Sequence, residues 1–141
     1  MTQIVYVTKR IKVMDRKFYV SLEAAKLLKE KGYNNYSTVY DCSVEGDILL
    51  NQEPMHGEWA GEKDVYPCPT KAEAIAWLES KCMIVIIDVY YIILEENGYH
   101  TSCWGYCIRK NNVYVCGDNS SDYLTRLEAE DEAIIKALEL I

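Results

Sequence analysis

The sequence predicts an α+β fold: a single domain over residues 1–141 in which an antiparallel sheet of four to six strands carries three helices mainly on one face. Three observations lead there. Three amphipathic stretches each open on a hydroxyl residue, Ser21, Thr70 and Thr125, and a side-chain oxygen there can satisfy a free helix N–H. The run Met83–Leu94 is the most apolar in the chain and reads as a buried strand. After it, Asn97-Gly98 and Asn111-Asn112 separate two more strand-like segments, the pattern of an antiparallel meander. Half of the residues are hydrophobic, enough for a full core in one domain of this length.

The elements follow in order. Residues 3–8 are β-branched and aromatic and read as a strand, which residues 11–14 extend or repeat; Met14–Lys17 reads as a turn. From the Ser21 cap a helix runs to Lys31, with Leu22, Ala25 and Leu28 along its apolar stripe and Gly32 as its stop. Residues 37–44 alternate as a strand. Residues 45–69 carry Gly46, Pro54, Gly57, Gly61, Pro67 and Pro69 and read as a long loop, with Ile48–Leu50 as a short strand or turn inside it. Thr70 and Glu73 have the spacing of a capping box, and Ala74, Trp77, Leu78 and Cys82 fall on one helix face. No glycine follows this helix. The strand that comes next would span roughly 40 Å, which exceeds common strand lengths, so a bend or bulge is expected near Asp88. Residues 100–109 return as the next strand. There Cys103, Gly105 and Cys107 form a small-residue face that suits close approach of a helix. Residues 113–116 complete the meander. Thr125 and Glu128 repeat the capping-box spacing, and a helix follows to Glu139.

Charge divides the chain. Residues 1–32 carry a net +5 and the remainder −12, for a total of −7. An acidic total disfavours general nucleic-acid binding, where phosphate neutralisation supplies most of the affinity. The one exception is the basic segment 9–17, with Lys9, Arg10, Lys12, Arg16 and Lys17 in the N-terminal strand region 1–17. The start of the chain lacks the basic and apolar regions of a signal peptide, and no apolar run is long enough to cross a bilayer. The expectation is a cytoplasmic protein of a bacterial host without membrane attachment.

In that compartment the six cysteines read as small buried hydrophobes rather than disulfides. The spacing of Cys103 and Cys107 suits zinc, but on a strand the two lie roughly 13 Å apart, so no metal is expected. The chain has no phosphate-binding glycine loop, nucleophile elbow or paired-histidine motif, so no catalytic residue and no cofactor is assigned. The reading leans away from an enzyme. Asp118, Asn119 and Asp122 read as turn and cap residues. The candidates for ligand contact are His56, Glu58 and Trp59 in the long loop, His100 near Ser102 and Cys103, and Asp88. A carboxylate in so apolar a strand sits either at an exposed bend or buried with a raised pKa.

The stretches Tyr19–Tyr33, Pro69–Lys81 and Arg126–Ile141 resemble a group of short uncharacterised proteins encoded by phages and integrated elements of gut bacteria. The likeness covers residues 18–141 and rests on helix patterns. It implies a phage-derived cytosolic α+β protein, and no activity, cofactor or site residue comes with it. The expected function is a non-enzymatic interaction protein that self-associates as a homo-oligomer, with a host or phage protein as a further partner. The absent catalytic constellation, the charge polarity and twelve tyrosines and three tryptophans against one phenylalanine motivate it, since such amphipathic rings suit interfaces. The alternative is an enzyme or small-ligand binder with its site under the 45–69 loop.

Overall fold

The computed structural model describes residues 8–10, 13–42, 47–51, 62–94, 96, 98, 100–118 and 125–141. The chain is α+β and divides into two compact units, Met1–Thr70 and Lys71–Ile141. Its described strands form two antiparallel sheets, where the sequence reading expected one. Alternation of side chains identifies strands but not which of them pair, and here the pairing stays within each unit.

In the first unit the strands are β1 (Thr8–Arg10), β2 (Thr38–Asp41), β3 (Asp47–Asn51) and β4 (Val65–Pro67), in the order β1-β3-β2-β4. Strands β3 and β4 stand inside the expected 45–69 loop. The register sets Val39 opposite Leu49 on one side and Pro67 on the other. Pro67 is tolerated because β4 is an edge strand. Residues 3–7 and 52–61 lie outside the described residues. The expected turn at 14–17 is instead a 3₁₀ helix, Val13–Phe18.

Helix α1 (Leu22–Glu30) begins as expected, with Ser21 Oγ accepting the Ala24 N–H at 3.3 Å. It ends in a Schellman turn. The Tyr33 N–H bonds the Leu28 carbonyl at 2.9 Å and the Gly32 N–H bonds that of Lys29 at 3.2 Å, with Gly32 at φ 91°. Helix α1 packs on β4. Its Lys29 Nζ donates to the carbonyls of Glu62 and, at 2.8 Å, Val65, while Lys26 and Lys29 both stand over the Tyr66 ring. The segment before α1 is held by Tyr40 Oη, which donates to the Val20 carbonyl at 2.7 Å, and by the Val20 N–H, bonded to the Pro69 carbonyl at 3.1 Å. Tyr36, Val39 and Val65 form a buried cluster, and burial pushes the Tyr36 phenol above its ordinary pKa.

The second unit is the predicted meander with two helices. Helix α2 (Lys71–Ser80) leads into β5 (Met83–Leu94), then β6 (His100–Lys110), β7 (Val113–Asp118) and α3 (Arg126–Glu139). The strand order is β5-β6-β7. The bulge expected near Asp88 falls between Val89 and Tyr91. It breaks the long strand where straight pairing would otherwise have to hold over twelve residues. The turn between β6 and β7 is two residues long, with Asn111 at φ 52° and Asn112 at φ 66°. Two left-handed residues make a turn of the type I′ kind, which matches the right-handed strand twist.

Helix α2 packs on β5, α3 packs on β5 and β6, and the two helices touch. Of the three α-helices described, α1 thus belongs to the first unit and serves a different sheet, which corrects the expectation of three helices on a common face. Thr125 Oγ1 accepts the Glu128 N–H at 3.2 Å, the predicted cap of α3. Ala129, Ala133, Ile134, Ala137 and Leu138 are buried along this helix. Its first residue, Arg126, lies over the Trp104 ring at 5.9 Å. This end of α3 therefore covers the Trp104 face of β6 rather than the small-residue face of Cys103, Gly105 and Cys107.

Candidate functional site

The residues named from the sequence do not converge. His56, Glu58 and Trp59 lie outside the described residues. Asp88 is exposed at the bend, and its Oδ1 accepts the Val89 N–H at 2.8 Å. A solvated carboxylate occupied by the backbone next to a bulge is a turn-forming group. His100 opens β6 opposite Leu94, whereas Asp88 pairs with Gly105. Five residues of strand, roughly 17 Å, separate His100 from Asp88's partner, so the two cannot hold one small ligand together.

Cys103 and Cys107 are on the same strand, as expected, and all six cysteines are free thiols. Among the described residues, no group of three or more His, Cys, Asp or Glu side chains stands close enough to hold a metal ion. Arg16 and Lys17 of the basic segment are exposed on the 3₁₀ helix. No described helix is long and apolar enough to cross a membrane.

Three features of the second unit were not singled out from the sequence. The first is the end of α2. The Cys82 N–H bonds the Glu79 carbonyl at 2.9 Å, and Cys82 takes φ 65°, the place where α1 has Gly32. Its carbonyl accepts the Asn111 N–H at 3.1 Å, which ties the helix end to the β6–β7 turn. Glu79, Cys82, Ile84, Asn111 and Asn112 line an open cavity of about 440 Å³. The three non-glycine residues with positive φ among those described all border it. The Cys82 side chain is exposed here, and not on the buried face with Ala74 and Leu78 where helix periodicity puts it. The missing glycine after α2 was the signal: a helix that stops without one forces another residue into the left-handed region.

The second feature is Lys71, the first residue of α2, which is buried. Burial holds its ammonium below the ordinary lysine range, while the charges of Asp131, Glu130 and Glu128 on α3 pull the other way. The arrangement sets a buried cation against the acidic start of the neighbouring helix, where carboxylates also favour the helix dipole.

The third feature is a bare apolar strip. On β7, Val113, Tyr114 and Val115 are 66 %, 61 % and 40 % exposed. Large apolar residues scattered singly need no explanation, but three in succession on one edge strand do.

No protein-family model matches this chain, and neither a curated protein nor a solved structure matches it.

Proposed function

We propose that this chain is a non-enzymatic interaction protein that self-associates, of the phage and mobile-element type its helix patterns resemble. The observation that supports this reading is the bare strip Val113-Tyr114-Val115 on β7. Exposed apolar edge strands promote chain–chain pairing, and soluble proteins usually blunt them with charge, proline, bulges or a covering element; β7 carries one such device, a bulge at Val115, and its three apolar side chains stay exposed around it.

Light scattering coupled to size exclusion tests it. Between about 1 and 100 µM, a range that covers ordinary self-association, the mass should rise above the 16.3 kDa of one chain. A constant single-chain mass over that range would remove the self-association.

A second reading, small-ligand binding, draws support from the cavity beside Cys82. It differs from the expected site under residues 45–69, whose candidate contacts are not among the described residues. Under this reading, thiol-reactive fragments should label Cys82 at rates that vary with fragment shape. Labelling at one rate for every fragment would count against a shaped site.

A further inference from the structure

We infer that self-association uses the face of the β5–β6–β7 sheet turned away from α2 and α3. Its occupant is the same face of a second copy, packed with its strands reversed about a two-fold axis that crosses the Ile86–Cys107 pair. This rests on the self-association reading and adds a place, a partner and an orientation to it.

The place follows from pairing and exposure. Residues directly opposite each other on neighbouring strands put their side chains on one face of the sheet. The pairs Val89–Trp104, Ile87–Tyr106 and Val85–Ile108 make the face under the helices, since Arg126 of α3 stands over Trp104 and α2 touches α3. The opposite face carries Asp88–Gly105, Ile86–Cys107 and Ile84–Arg109, three rungs in unbroken register. Strand β7 adds Tyr114 beside Arg109 and Gly117 beside Cys107. A Cβ on Gly117 would stand 3.3 Å from Tyr114 Oη, so the Tyr114 side chain leans along this face. Past the Asp88–Gly105 rung Cys103 is buried, and the open area ends there. Within it Ile86 is 43 % exposed in mid-strand, and Tyr114 is exposed too. A sheet face with apolar residues at its middle is stably placed only against a second layer.

The partner follows from charge. Asp88 and Arg109 are both exposed, and they lie one rung to either side of the Ile86–Cys107 pair, each roughly 7 Å from it along the strands. Asp88 Oδ1 accepts the Val89 N–H, and Arg109 Nη2 donates to the Asn112 carbonyl. Each still has a second carboxylate oxygen or further guanidinium N–H groups to offer. A two-fold axis between two such faces, running across the strands at Ile86–Cys107, reverses the strands of the second copy. Asp88 of each copy then stands level with Arg109 of the other, one strand spacing to the side. With the sheets about 10 Å apart, the two side chains together span the gap. An axis along the strands would set Asp88 level with Asp88 instead. A partner of one sign would match only one of the two charges. Ile86 meets Ile86 at the axis, between the two ion pairs, and Tyr114 carries the strip of β7 to the rim of the same surface.

Ile86→Lys is the test. It sets two like charges face to face at the axis, where packing would take them out of water. Because Ile86 is already exposed, the monomer fold should persist, read as unchanged far-UV circular dichroism. The dissociation constant, from light scattering across the concentration range, should rise at least about tenfold. Arg109→Glu should raise it about threefold, and Arg109→Glu combined with Asp88→Lys should return it to near the wild-type value. If the wild type associates and Ile86→Lys associates equally well, this face is overturned while the self-association reading stands. If Ile86→Lys dissociates but the folded double variant associates no better than Arg109→Glu alone, the reversed orientation is overturned. If the wild type is a monomer throughout, the self-association reading falls and this inference falls with it.

Discussion

Helix α1 of the first unit and helix α2 of the second stop in the same backbone geometry with different residues. Gly32 takes φ 91° and Cys82 takes φ 65°. At Gly32 the left-handed conformation is free of steric cost and a Cβ would meet nothing within 4 Å. At Cys82 the same geometry carries a penalty of about 1–2 kcal/mol for a residue with a Cβ. The backbone bonds around Cys82, from Cys82 N–H to Glu79 and from Asn111 N–H to Cys82, would be made equally well by glycine. What cysteine adds is an exposed thiol on the cavity wall. The two stops separate what the fold requires, a left-handed residue, from what the side chain contributes.

A similar contrast holds for long-range structure. The first unit is closed by groups far apart in sequence: Lys29 reaches Val65, Tyr40 reaches Val20, and the Val20 N–H reaches Pro69. The second is built from neighbours, each strand pairing with the next.

Gly117→Ala should have the largest effect on this comparison. The new Cβ would stand 2.7 Å from the Tyr106 carbonyl oxygen, which is backbone and cannot rotate away. Chemical denaturation should show a loss of about 2 kcal/mol, the scale of overpacking. A neutral result would mean that the β6–β7 pair yields more readily than a sequential hairpin should. Gly32→Ala should lose about 1 kcal/mol, since the strain is conformational and the space is open. The reverse change, Cys82→Gly, should gain about 0.5 kcal/mol, the relieved strain less the greater freedom of glycine in the unfolded chain. A loss at Cys82→Gly instead would show that the thiol makes contacts that stabilise the helix end.

What could be read in advance follows from how local each feature is. The caps at Ser21 and Thr125, the stop at Gly32, the two-residue turn after Lys110 and the bend beyond Asp88 are each specified by a few adjacent residues, and each is present. Strand β4 was hidden because Pro67 and Pro69 carry loop chemistry, while its three residues are held by β2 and by Lys29 from α1. The division into two sheets depends on which strands pair, which alternation does not encode. Of the site candidates, Asp88 was legible as a bend. Helical spacing puts Cys82 on the buried face only when it is carried two residues past Ser80, where α2 ends.

The self-association account rests on the exposed strip Val113-Tyr114-Val115 of β7. Amide hydrogen exchange at dilute and concentrated protein tests it directly. The amides of Val113, Tyr114 and Val115 should gain about tenfold or more in protection as the chain associates, while those of α1, which carries none of the strip, should change little. Equal exchange at Val113, Tyr114 and Val115 in both samples, with the mass showing an oligomer in the concentrated one, would contradict association through this strip.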